Sequence, residues 1–180
     1  MNFCSHCGHR VEYRIPEGDS RERYVCPSCS TIHYQNPRII AGCLPVWQGK
    51  VLLCRRAIEP RHGYWTLPAG FMENGETVAE GGARETWEEA EARVENLQLY
   101  TIFNIPYIGQ VYMLHRADLV DGVFGVGSES LECRLFEEHE VPWDELAFPS
   151  VKKTLEHYFR DRVSGVYPVH VGDLKPITRR

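Results

Sequence analysis

Apolar and polar positions divide the chain unevenly. Before Arg38 large apolar residues are sparse and scattered. From there the run 39–47, Ile39-Ile40-Ala41-Gly42-Cys43-Leu44-Pro45-Val46-Trp47, predicts a strand. Gln48-Gly49-Lys50 is a hairpin turn signal, and 51–56 predicts the returning strand. Residues 65–70 form a short extended piece, and 76–92 carry a helical pattern. Strand-like runs follow at 94–104, 110–120 and 132–138. Residues 150–163 predict an amphipathic helix with Val151, Leu155, Tyr158 and Phe159 on one side. The stretch 167–180 holds two prolines and no helical period. Several strands with two helices imply an α/β class, a mixed sheet covered by helices. The expected parts are a small unit at 1–37, a main domain at 38–165 and a tail at 166–180.

The small unit cannot bury enough apolar surface to fold unaided. It contains Cys4, Cys7, Cys26 and Cys29, two C-x-x-C pairs separated by eighteen residues. Four thiolates at this spacing suit a tetrahedral structural Zn2+, which would supply the missing stability. Gly8 and Pro27 are expected to shape the two turns. A redox role for the C-x-x-C pairs is disfavoured by their matched interval. Arg10, Arg14, Arg21 and Arg23 are balanced by Glu12, Glu17, Asp19 and Glu22. Non-specific nucleic-acid binding needs uncompensated positive charge, so a structural ribbon packing on the main domain or on a partner subunit is expected.

Composition narrows the class. Hydrophobic residues are 43% and charged residues 25%, which excludes disordered, collagen-like and coiled-coil chains. No apolar run approaches the ~20 residues that cross a bilayer, so no membrane partner is expected. The net charge of −5 gives no global attraction to nucleic acid. Seven cysteines, an odd number, and a start without a secretory signal argue for a reducing cytoplasm rather than a disulfide framework.

The candidate chemistry sits on the first helix. At about 100° per residue, Glu85, Glu88 and Glu89 share a direction, with Ala79, Ala83, Thr86, Trp87 and Ala90 roughly 150° away. The expectation is an apolar stripe on the sheet and three carboxylates on the other side. Such carboxylates repel unless hard cations sit between them, Mg2+ or Mn2+ being suited. Gly81 and Gly82, one turn earlier, are expected to clear space for metal or phosphate.

The loop before the helix carries a resemblance. Gly70, five residues, Glu76, seven residues and then Arg84-Glu85-Thr86-Trp87-Glu88-Glu89 resembles the Nudix box of Nudix hydrolases, over residues 70–92. Two positions depart: Glu91 stands where glycine is usual, which implies a shifted helix cap, and Thr86 where an aliphatic residue is usual. The four-cysteine ribbon, the link Tyr34-Gln35-Asn36-Pro37 and the stretches 65–70 and 129–136 are similar to FAD and ADP-ribose pyrophosphatases of chloroplast type.

The resemblance implies a Nudix α/β/α sandwich with a mixed sheet behind a zinc ribbon. It implies Mg2+-dependent cleavage of the diphosphate in a nucleoside diphosphate derivative, releasing AMP and a second monophosphate. Glu85, Glu88 and Glu89 match the metal ligands, and Arg84 matches a residue that braces them. Glu129 and Glu132 are candidates for a further carboxylate, with Glu132 favoured at a strand start. Gly70, Phe103 and Tyr107 are candidate substrate contacts, and Tyr64 and Trp65 further aromatics that would stack on a base. FAD is preferred, then ADP-ribose. At 101–107 the chain has no serine-glutamine-proline-tryptophan motif of the NADH pyrophosphatases, which counts against NADH. A non-catalytic nucleotide sensor should have lost the glutamates and carry a basic ribbon; this chain keeps the first and lacks the second. Dimeric relatives imply a homodimer as one arrangement.

Overall fold

A computed structural model of the chain describes residues 1–176. It divides into two compact units, Met1–Pro37 and the remainder from Arg38.

The first unit is a three-stranded antiparallel sheet of β1 (Glu12–Arg14), β2 (Arg23–Val25) and β3 (Ile32–His33), in that order. Its buried side chains are Cys4, Pro16, Val25 and Cys26, too few for an apolar core. The two cysteine turns are built alike. Gly8 N–H donates to Cys4 O and Ser30 N–H to Cys26 O, both at 2.9 Å. Gly8 and Ser30 both take the left-handed conformation, φ 76° and 58°. Pro27 lies within the second turn and Ser30 closes it in the left-handed conformation, a role serine fills less readily than glycine.

The second unit carries an eight-stranded mixed sheet. Its strands are β4 (Arg38–Trp47), β5 (Lys50–Arg56), β6 (Trp65–Thr66), β7 (Ala69–Phe71), β8 (Val94–Ile105), β9 (Gln110–Leu119), β10 (Ser130–Phe136) and β11 (His170–Asp173). The path runs β10-β5-β4-β9-β8-β11, with β6 on β5 and β7 on β4. The β4–β5 turn is the one the sequence signals, with Gln48 and Gly49 both at positive φ. The supposed tail is different: residues 170–173 add a parallel edge strand on β8. Four residues without helical period carry too weak a signal to announce a strand.

Alternation along β5 feeds two cores. Val51 and Leu53 join Leu44, Tyr100, Leu114 and the inner face of α2 (Pro149–Asp161). Leu52 and Cys54 point the other way, to Ala90 of α1 (Val78–Ala90), Leu119 and Cys133. The sheet thus has a helix on each face, an α/β/α sandwich.

Helix α1 starts at a capping box. Thr77 accepts from Glu80 N–H, and the Glu80 carboxylate accepts from Thr77 N–H at 2.7 Å. Gly81 and Gly82 correct their expected role. A Cβ on Gly82 would sit 3.0 Å from Gly42 O, and one on Gly81 would sit 2.7 Å from Glu76 Oε1 and 3.1 Å from the Ala41 Cβ. Gly82 lets α1 lie against β4, and Gly81 also makes way for the Glu76 carboxylate. Glu91 takes the left-handed cap itself, φ 47°, donating its N–H to Trp87 O. The cap has not shifted. Glutamate occupies a backbone conformation that glycine enters more easily, which accounts for glycine being usual there.

Candidate active site and cysteine cluster

The site is assembled where β7, the following loop and α1 meet. Gly70 has no Cβ because the Glu85 carboxylate occupies that position. From there Arg84 organises the acids. Its Nε and Nη2 donate to the two Glu76 oxygens at 3.0 and 2.8 Å, and Nη1 to Glu85 at 2.8 Å and Glu88 at 3.1 Å. Nη2 also reaches Phe71 O at 3.1 Å. The bidentate Arg84 partner, helped by Glu73 N–H, holds the Glu76 carboxyl down to about 2. Glu76 lies in the loop before α1, so it anchors loop to helix.

The helix is rotated from its expected setting. Its buried face is Gly81, Gly82, Thr86, Glu89 and Ala90, whereas Trp87 is half exposed beneath Arg93. Glu89 is therefore a sheet-side residue, 6% exposed, and accepts a long hydrogen bond from Ala69 N–H at 3.4 Å. Burial first, and then the neighbouring Glu85, pushes its carboxyl up to about 8. Burial raises Glu85 too, and Arg84 opposes it. The three glutamates face one cleft of about 630 Å3. They do not form a closed cage: Arg84 draws Glu85 and Glu88, while Glu89 turns to Ala69.

A carboxyl held above its ordinary 4.5 keeps its proton in the folded chain where the unfolded chain has released it. Stability of the metal-free protein is accordingly expected to fall as pH rises from about 4.5 towards 8. The shift bounds the loss at ~5 kcal/mol, shared with Glu85. Thermal melts in chelator across this window check it; a flat or rising profile contradicts it.

Other candidates separate. Glu129, on the loop entering β10, lines the cleft and acts electrostatically on Glu85 and Glu89. Glu132, the favoured candidate, does not line it. It lies in register with Arg55 and pairs with it at 3.9 Å, half exposed. The irregular pairing between Ser130 and Glu132 moves the register, which strand counting could not reveal. Phe103 is also corrected. It is 2% exposed, packed with Ile105 and Leu174 and stacked on His157, and does not line the cleft. Trp65 is core, edge-on to Phe136. Tyr64 lies outside the cleft wall, under Arg61. Tyr107 is half exposed and lines the cleft, joined by Tyr112, which sequence reasoning missed.

In the first unit the Sγ atoms of Cys4, Cys7, Cys26 and Cys29 lie within 4.8 Å of one another. His33 Nε2 stands 3.3 Å from Cys4 Sγ, a partner outside the four. The Thr31 hydroxyl and N–H hold the Cys29 thiol down to about 6. Four soft donors in this arrangement fit tetrahedral Zn2+.

These two sites agree with comparisons to known proteins. A family model described as NUDIX domain matches residues 36–159, and one described as Nudix N-terminal, a zinc ribbon, matches residues 2–35. The chain belongs to the Nudix family and carries that family's zinc ribbon. A Nudix hydrolase crystal structure from Nitrosomonas europaea is 55% identical over 98% of this chain and 100% of that one, with a TM-score of 0.94. The NAD-capped RNA hydrolase NudC of Erwinia tasmaniensis is 29% identical over 133 residues, 72% of this chain and 48% of that protein. The chain spans about half the length of the curated relatives it matches. An ADP-ribose pyrophosphatase from Streptococcus suis, 20% identical over 76% of this chain and 99% of that one, shares the fold at a TM-score of 0.59. Among the described residues no helix is long and apolar enough to cross a membrane.

Proposed function

We propose that this chain is a divalent-metal-dependent pyrophosphohydrolase that splits the diphosphate bridge of a dinucleotide-like compound into two monophosphates. The observation that carries this reading is the convergence of Glu85, Glu88, Glu89 and Glu129 on one cleft beside Gly70, with Arg84 bracing the first two. Hard carboxylate oxygens there suit Mg2+ or Mn2+, which when bound would neutralise phosphate oxygens and activate water. The protein's own residues do the rest. Arg84 fixes the rotamers of Glu85 and Glu88. Glu129 approaches from a different element and would accept the proton of the attacking water. Tyr107 and Tyr112 offer aromatic faces to a base at the other end.

The preference among substrates changes. The preference for FAD came with the resemblance to FAD and ADP-ribose pyrophosphatases; of the four aromatics expected to stack on a base, Phe103 and Trp65 are core residues and Tyr64 does not line the cleft. Relatives named as NAD-capped RNA hydrolases support NAD(H) as the substrate class, with ADP-ribose and FAD behind it. The neutral charge of residues 1–37 gives no added support for a long RNA. The test is phosphate release from NADH, FAD, ADP-ribose and NAD-capped RNA, with Mg2+ and an added phosphatase. Turnover of NADH ahead of the others is expected. No release from any of the four rejects the reading.

A further inference from the structure

The cleft has a second wall that the acidic trio does not explain. It is formed by Arg56 at the end of β5 and by the start of α2, Phe148, Pro149, Ser150 and Val151. Helix α2 has thirteen residues, Pro149 in its first turn and no side-chain cap. The chain before it is fixed, since Ala147 N–H donates to Trp65 O at 2.8 Å. The N–H groups of Ser150 and Val151 precede the first helical hydrogen bond, made by Lys152 N–H to Phe148 O. Ser150 is 1% exposed, and its Oγ has no hydrogen-bond partner among the described residues. A buried hydroxyl without a partner is costly, so native proteins seldom keep one without use.

Charge points the same way. Among the described residues two cations line the cleft. Arg84 is consumed by three carboxylates and a carbonyl. Arg56 forms no ion pair among the described residues. Its Nε donates to Pro60 O at 2.8 Å, and its guanidinium lies 5.3 Å from the Phe148 ring centre, at the cap position of α2. A guanidinium without an ion pair among the described residues, a positive helix end and an unpartnered hydroxyl are together a site for an oxyanion.

We propose that Arg56, Ser150 and the α2 N-terminus form an anion subsite that takes the phosphate of the diphosphate bridge lying away from Glu85, Glu88 and Glu89. This rests on the activity proposed above. It assigns the two phosphates to different lining residues of the same cleft, Arg56 lying near enough to Glu89 to act on its carboxyl. The acidic wall binds its phosphate only through cations, whereas the Arg56–Ser150 wall binds directly. Arg56 and Ser150 are positioning residues: they set where the bridge lies relative to the attacking water.

The experiment compares the full chain with Ser150→Ala, Arg56→Gln and Arg56→Lys. Ser150→Ala deletes an unpartnered hydroxyl and is expected to melt no lower than the parent. With NADH and Mg2+, Ser150→Ala and Arg56→Gln should raise KM about tenfold or more, kcat falling less, and Arg56→Lys should recover part of the loss. In a separate arm, inorganic phosphate is added in chelator, where no turnover occurs. Phosphate should raise the melting temperature of the parent and have little effect on Ser150→Ala or Arg56→Gln. Loss of that response supports the subsite even if no dinucleotide is cleaved, in which case only the proposed activity fails. Equal phosphate responses in all chains, or unchanged KM in both variants of a chain that does hydrolyse, overturn the subsite and leave the activity standing.

Discussion

Glu89→Gln is expected to give a sturdier protein and a nearly inactive one. The amide keeps the shape and the hydrogen bond from Ala69 N–H but carries no charge. In the metal-free state it removes the cost of ionising a buried carboxyl, so the variant should melt higher than the parent at pH 8 and match it near pH 5. It also removes a carboxylate proposed to hold the divalent cation, and kcat should fall roughly 10²–10³-fold. Glu85→Gln should lose activity similarly. Glu88 is the contrasting case, being half exposed and held to Arg84. Its amide should lose activity with little change in melting at any pH. Mg2+ should raise the parent's melting temperature more at pH 8 than at pH 5, because binding needs the ionised form. Retained turnover in all three single variants would remove the acidic trio from the chemistry.

The second large effect concerns the cysteines. The first unit buries only four side chains, two of them cysteines. Its stability should come from the metal, for which zinc-finger peptides set a scale of ~10 kcal/mol or more. Cys26→Ser, or a strong chelator, is expected to abolish one equivalent of bound zinc and the ordered structure of residues 1–37. Cys43→Ala, on β4, should keep both. Elemental analysis and amide hydrogen exchange measure the two outcomes. Full exchange protection of Tyr24 and Val25 in a zinc-free chain would contradict the assignment.

Sequence reading succeeded where spacing itself is the physical constraint. The two C-x-x-C pairs, the Gln48-Gly49 turn and the interval from Gly70 to Glu76 to Arg84 all specify geometry through separation along the chain. It failed where polarity was used to infer direction. A period of 3.6 places glutamate outside by default, yet Glu89 lies on the sheet side of α1 with Gly82, Thr86 and Ala90. Aromatic residues misled in the opposite sense. Phe103 and Trp65 were candidates for a base because they are flat, but both fill the core. Glu132 lost to Glu129 through a local register irregularity, and nothing in composition marks one. The wall containing Ser150 was equally hidden: its value depends on an absent partner, which only a structure displays.

Strand β11 has a practical corollary. Just beyond it, Leu174 packs on Phe103 and Ile105 and also borders the cleft. A peptidase cut in the exposed stretch around Gly165 would let this short ribbon peel off β8, uncovering Phe103 and opening the cavity sideways. A filled cavity should hold Leu174 in place and so slow release of the ribbon after such a cut, which a digestion time course with and without ligand would show.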